Sequence, residues 1–245
     1  PITCNTSAFT MLPAAGVKEV KITNVGSPYI VKAMLDASER EYKAGYEANG
    51  GYLTGSDFEI NGKRLKALPT RDAMLPMLLA LKLAIEGDQR FGIGRGSTVS
   101  DLFTIFRRHT NADTVDRKDP GFENYDIAMG GSIVKSLSPK DGNIEDVDFN
   151  TGVVTYKDGE MAALGNRPDL EKEMQDIIER LKRYFTTKRG FGEIKRLNYI
   201  AAVRIFFDND EIVHLRPSGN APEFRLYAES RTQQRADGIV GMRKK

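Results

Sequence analysis

The stretch VRIFFDNDEIVHLRPSGNAPEFRLYA, residues 203–228, decides how the chain is read. Val203 to Phe207 is a run of β-branched and aromatic residues. Asp208-Asn209-Asp210 is turn chemistry, and Ile212 to Leu215 resumes strand composition. Together they predict a β-hairpin. Phe224 to Ala228 predicts another strand. Between these strands lies a polar loop stiffened by Pro217 and Pro222. The loop carries Arg216 and Arg225 as guanidinium donors, Ser218 and Asn220 as side-chain donors, and Gly219 for close backbone approach. A phosphate ester, with about −1.5 to −2 charge and three acceptor oxygens, needs donors of those kinds. Composition alone reads equally as an anion cradle or as a strand-to-strand turn with incidental arginines.

Upstream of this stretch, Asn166-Arg167-Pro168 predicts a helix start, and Leu170, Met174, Ile177, Leu181 and Phe185 mark one helical face. Downstream, Ile239, Val240 and Met242 suit a last helix. The first part of the chain mixes strands and helices. Val20 to Ile22 and Phe58 to Ile60 read as strands, the latter running into an Asn61-Gly62 turn. Pro28 to Leu35 reads as a helix with Ile30, Val31 and Met34 inward. Thr70 is a plausible cap for a helix from Ala73 to Ile85, apolar nearly all round and so expected in the core, with Pro76 at its beginning or at a kink. Val99, Leu102, Phe103 and Phe106 predict an amphipathic helix after Ser97, with His109 at its end. The fold class is therefore α/β, with an α+β second unit. We place a first domain at 1–109, a polar connector at 110–130 and a second domain at 131–245.

Composition excludes several classes. The chain has 245 residues, 40% hydrophobic and 29% charged, and a net charge of +2. That balance gives no reason to expect nucleic-acid or membrane binding. The single cysteine, Cys4, allows no internal disulfide and suits a cytoplasmic setting. Cys4 itself reads as a small buried thiol, and Gly92 to Ser97 as a flexible connector.

A second loop, Gly45-Tyr46-Glu47-Ala48-Asn49-Gly50-Gly51, offers a carboxylate able to accept from vicinal hydroxyls and an amide that both donates and accepts. Spacing alone favours a Gly-rich hairpin with an exposed glutamate.

Arg216-Pro217-Ser218-Gly219, followed by Pro222 and Arg225, resembles the phosphate-binding loop of the phosphohexose mutases. Asn220, Ala221 and Glu223 stand where that family has Thr, Glu and Lys. Gly45 to Gly51 resembles the family's sugar-recognition loop. Residues 1–6, Val25 to Tyr29 and Thr70 to Met77 resemble stretches of its third domain, in the family's order. The resemblance implies a layered α/β/α third domain, truncated at its start, followed by a smaller fourth domain with an antiparallel sheet flanked by helices. It implies that Glu47, Asn49 and Gly50 bind sugar, and that Arg216, Ser218, Gly219, Asn220 and Arg225 bind phosphate.

The family's reaction is an isomerisation through a bisphosphorylated sugar. It uses a phosphoserine loop, a magnesium loop and a hexose bisphosphate activator. Neither loop occurs in this sequence, and Asp141-Gly142-Asn143 and Asp158-Gly159-Glu160 are poor substitutes. The implied partners are a hexose phosphate and the missing N-terminal domains. No catalytic residue or metal ligand is assigned, and the chain alone is expected to be inactive. The absence of a Ser in the sugar loop leans towards mannose phosphates. A phosphoglucomutase, a phosphoglucosamine mutase, one chain of a split enzyme and a non-catalytic sugar-phosphate module remain as alternatives.

Overall fold

The computed structural model describes residues 1–37, 42–105, 109–115, 118, 124–218 and 221–242. It divides into two units, Pro1–Arg108 and His109–Lys245.

In the first unit, helices α1 (Ser7–Ala14) and α2 (Ser27–Asp36) precede strands β1 (Ala44–Tyr46) and β2 (Tyr52–Thr54). Strands β3 (Phe58–Ile60) and β4 (Lys63–Leu65) form a separate hairpin. Strand β5 (Leu68–Asp72) completes an antiparallel sheet in the order β1-β2-β5, and helix α3 (Met74–Glu86) follows. Helix α2 starts after Gly26, with Pro28 in the first turn, where a missing N–H costs no bond. Ile30 and Met34, one turn apart, pack on Leu53 of β2. A side chain at Gly45 would overlap Ile30, so glycine there lets α2 approach β1. The Asn61-Gly62 turn has positive φ at both residues, 51° and 72°, as a two-residue hairpin of this hand demands.

Four expectations for this unit are corrected. Val20 to Ile22 is not a strand; the nearest backbone bond from Ile2 N–H goes to Thr23 O, at 2.9 Å, just beyond it. Helix α3 exists, with Pro76 in its first turn, but of its residues only Ala84 is buried. Met74, Met77, Leu78, Leu81 and Ile85 are exposed, because a helix apolar all round turns one side away from any single neighbour. Its start is held by Asp72, whose Oδ1 accepts the Met74 N–H at 2.8 Å, while Thr70 lies inside β5. The helix expected after Ser97 is a 3₁₀ segment, Ser100–Ile105, with Thr98 bonded to Asp101. The side chain of Phe103 and all of Phe106 lie outside the described residues.

The second unit contains strands β6 (His109–Val115), β7 (Ile144–Asp148), β8 (Val153–Tyr156), β9 (Met161–Ala163), β10 (Ile194–Asn198), β11 (Val203–Phe207), β12 (Ile212–Pro217) and β13 (Phe224–Ser230). They form one antiparallel sheet, in the order β6-β13-β12-β11-β10-β7-β8-β9. Helices α4 (Ile127–Ser136), α5 (Pro168–Lys182) and α6 (Gln233–Gly241) complete it. The expected apolar stripe holds: Leu170, Met174, Ile177 and Leu181 are buried in α5, and Phe185 packs beyond its end. They meet Leu197, Val203, Ile205, Val213 and Ala228 from the sheet, with Ile239 and Val240 from α6. The polar stretch 110–130 is not simply a connector. It contributes β6, whose residues pair along β13 from Phe224↔Val115 to Ser230↔His109, and it begins α4. His109 thus opens a strand and does not end a helix. Among the described residues no helix is long and apolar enough to cross a membrane.

Strand alternation places Arg204, His214, Tyr227, Arg216 and Arg225 on the sheet face opposite the apolar core. Between β10 and β11, Ala202 adopts φ 70°, a left-handed conformation that costs a non-glycine residue about 1–2 kcal/mol. Ala202→Gly is therefore expected to raise the unfolding free energy by about 1 kcal/mol, net of glycine's own entropy cost. Urea titration of the two proteins measures the difference.

Candidate functional site

In the first unit the β1–β2 connection closes on itself. Glu47 N–H donates to Gly51 O at 2.8 Å, and Gly50 N–H to Glu47 O at 3.0 Å. Gly50 has φ 88°, which explains a glycine at that position. The closed turn draws the Glu47 side chain inward, where it is buried. Its Oε2 accepts from Ser27 Oγ at 3.3 Å and lies 3.4 Å from Arg71 Nε. Ser27 opens α2 and Arg71 sits in β5, so two other elements hold one carboxylate. Oε1 has no hydrogen bond among the described residues. Asn49 is exposed and spends its Oδ1 on the Gly51 N–H at 3.1 Å, which leaves its NH₂ as the outward donor. The Gly-rich hairpin reading is thus correct for the backbone, but the glutamate is not exposed. Ser27 and Arg71 received no role from sequence; each lies more than 15 residues from Glu47, so no local pattern connects them.

In the second unit, Arg216 on β12 and Arg225 on β13 are direct cross-strand partners. The loop between them is closed by Ser218 N–H to Glu223 O at 2.8 Å, followed by Glu223 N–H to Ala221 O at 2.8 Å. Gly219 and Asn220 lie outside the described residues. Ser218 is buried, and both arginines are half-buried. Like charges directly opposite in a sheet destabilise it. Here the repulsion is only partly offset: Arg225 Nη2 donates to Glu223 Oε2 at 3.2 Å and Arg216 Nη2 to Tyr227 Oη at 3.5 Å. The Nε of each arginine is buried and has no hydrogen-bond partner among the described residues. Glu223, standing where the resembling family has a lysine, acts as an internal anion on Arg225.

His214 neighbours this pair on the same face. Its Nε2 lies 2.5 Å from Ala201 O, and its ring is 5.6 Å from that of Tyr227. Burial, with the nearby Arg204 and Arg216 cations, lowers its pKa to about 4 against the backbone hydrogen bond, so it is neutral at pH 7. A neutral ring that donates Nε2–H to a carbonyl is a structural tie and not an acid–base group.

The turns at Asp141 and Asp158 do line one cleft, of about 380 Å³, with Glu160 and Lys157. Asp141 Oδ1 accepts Asn143 N–H and Asp158 Oδ1 accepts Glu160 N–H, each at 3.0 Å, so both carboxylates serve their own turns. Among the described residues no group of three or more acids, histidines or cysteines converges as a metal site.

Residues 2–106 match the family described as phosphoglucomutase/phosphomannomutase, alpha/beta/alpha domain III. The phosphomannomutase of Salmonella muenchen is 30% identical over 243 residues, covering 98% of this chain and 38% of that protein. The chain is similar to the C-terminal part of a phosphohexose mutase. The phosphomannomutase of Sinorhizobium fredii (strain NBRC 101917 / NGR234) is 28% identical over 242 residues, covering 98% of this chain and 39% of that protein. The chain thus spans under two fifths of the length of the curated relatives it matches. Among phosphohexose mutases it is most like a phosphomannomutase.

Proposed function

We infer that this chain forms the sugar- and phosphate-holding part of a cytoplasmic phosphomannomutase. The intact enzyme interconverts mannose 6-phosphate and mannose 1-phosphate through a bisphosphorylated sugar. The observation that carries this reading is the register of Arg216 against Arg225. Two half-buried guanidiniums held opposite each other, and only partly neutralised, are stabilised when a dianion lies between them. In this reading Arg216, Ser218 and Arg225, with Gly219 and Asn220, hold the phosphate that is not being transferred. Glu47, Asn49 and Gly50 accept from and donate to the ring hydroxyls, and Arg71 and Ser27 fix the Glu47 carboxylate. The sugar binds in two flipped orientations, so one phosphate site serves both halves of the reaction.

Phosphoryl transfer itself depends on a serine and a magnesium ion held by loops this sequence does not include. Magnesium supplies charge neutralisation on the transferring group. A hexose bisphosphate activator keeps the serine phosphorylated. Alone, this chain binds hexose phosphates and does not turn them over.

Calorimetric titration tests the assignment. Mannose 6-phosphate is expected to bind the wild type, and Arg216→Ala is expected to weaken it about 10- to 100-fold, the loss of one charge-assisted contact. Glu223→Gln removes the internal anion and is expected to tighten phosphate binding about threefold, as for other partly exposed ion pairs. Glu47→Ala should weaken mannose 6-phosphate and leave inorganic phosphate unchanged. Equal affinity in wild type and Arg216→Ala would sink the phosphate assignment. Arg216→Ala also removes a like-charge repulsion, so a collapse of the fold is not expected to confuse the result.

A further inference from the structure

On the helical side of the second unit, a cleft of about 530 Å³ opens between α4, the end of α5 and α6. Its apolar part includes Leu215, Leu226, Ile239 and Phe191. Phe185, partly buried, gives the cleft an aromatic edge and packs edge-on against the buried Phe191, with ring centroids 5.1 Å apart. A volume of this size lies in the range of small-molecule sites. Three guanidiniums line it, Arg180, Arg183 and Arg189, and the lining includes no acidic side chain.

Arg180 lies in the last turn of α5 and Arg183 caps it, where cations suit the helix end. Lys182, beside them, pairs with Glu193. None of the three arginines has a carboxylate partner among the described residues. Arg180 donates Nη1 to the Ser136 carbonyl, and Arg189 donates Nη1 to the Tyr184 carbonyl at 3.2 Å. Those bonds anchor two guanidiniums against backbone while their remaining N–H groups stay unmatched by any anion.

We propose that this cleft binds an amphipathic organic anion, an acyl or aryl body with a carboxylate at one end. The apolar wall takes the body, and Arg183 with its two neighbours takes the head group. An extended peptide does not suit the place, because β12 and β13 beneath it are paired on both sides and offer no edge for strand addition. A cation does not suit it, because every charged group in the lining is positive. The site is made wholly of second-unit residues and uses neither Arg216 nor Arg225.

Decanoate is the probe, titrated calorimetrically into the full chain. We expect one saturable site per chain. Arg183→Glu, at an exposed position, is expected to weaken binding at least tenfold, and decanol should bind at least tenfold more weakly than decanoate. Ser136→Trp, also exposed, fills the opening and is expected to abolish binding, with thermal melts verifying that both variants fold. No saturable binding, or the same affinity in both variants, overturns the site. Equal affinity for decanol and decanoate overturns the role given to the arginines.

Discussion

Glu229→Ala should lower the stability of the second unit by about 3–5 kcal/mol, the usual cost of removing one partner from a buried ion pair. Arg204 Nη2 lies 3.4 Å from Glu229 Oε2, and the two side chains are only 4% and 5% exposed. The Arg204 guanidinium also lies 5.4 Å from the Phe206 ring centroid, so it is packed in place and has little room to swing towards solvent. Losing the carboxylate leaves a cation in a poorly solvated place. Against a total stability of about 5–15 kcal/mol, that is a large fraction. The double replacement Arg204→Met with Glu229→Leu removes both charges and should recover most of the loss, because the pair's net contribution over apolar packing is small. Urea unfolding of the three proteins decides it. A single variant within about 1 kcal/mol of wild type would show that the pair is solvated in practice.

What was legible in the sequence follows from how local each signal is. The hairpin from Val203 to Leu215 was readable because β-branched residues, turn residues and β-branched residues succeed one another without interruption. The Asn61-Gly62 turn was readable for the same reason, since both residues tolerate positive φ. Strand β6 was not. Its residues, HTNADTV, have polar loop composition, and it is a strand because β13 supplies backbone partners along its whole length. Composition reports side chains, and an edge strand of this kind is held by main chain. Helix α3 shows the converse. Its apolar content predicted burial, yet burial depends on what lies across from a helix, which no window of sequence contains.

The candidate site divides along the same line. Arg216 and Arg225 were visible as donors, but their opposition was not. It requires the loop to close at Ser218 and Glu223, which puts residues nine apart in register. Glu47 was visible as a carboxylate in a Gly-rich turn. Its burial and its ties to Ser27 and Arg71 came from three separated elements meeting. A resemblance placed these segments in one family and in order. The geometry adds which atoms of each are already bonded within the chain.

The sheet face that carries Arg216 and Arg225 is also expected to show a pH dependence of stability. His214 titrates near pH 4 in the folded chain and near 6.5 when exposed. Between those values the unfolded chain holds the extra proton, so stability falls as pH drops. The contribution is complete above about pH 6.5, declines by up to about 1.4 kcal/mol per pH unit, and levels off below about pH 4 after a loss of roughly 3 kcal/mol. The geometry explains the sign. Protonation would put a hydrogen on Nδ1, which is buried without a hydrogen-bond partner among the described residues, beside the cations Arg204 and Arg216. Other groups titrate too. Asp146 is pushed up by burial against its bonds to Asn198 and Arg196, and so gains stability on acidification. Asp57 and Asp88 are held low by hydrogen bonds to the Ala67 amide and the Arg90 side chain, and their losses fall mainly below the His214 window. The difference between wild type and His214→Gln removes these common contributions, and Gln retains an N–H donor for Ala201. Urea unfolding of both proteins from pH 7.5 to 4.5 should show the wild type losing stability faster by up to about 3 kcal/mol. Parallel curves would show that His214 does not change its proton in this window and would sink the assignment.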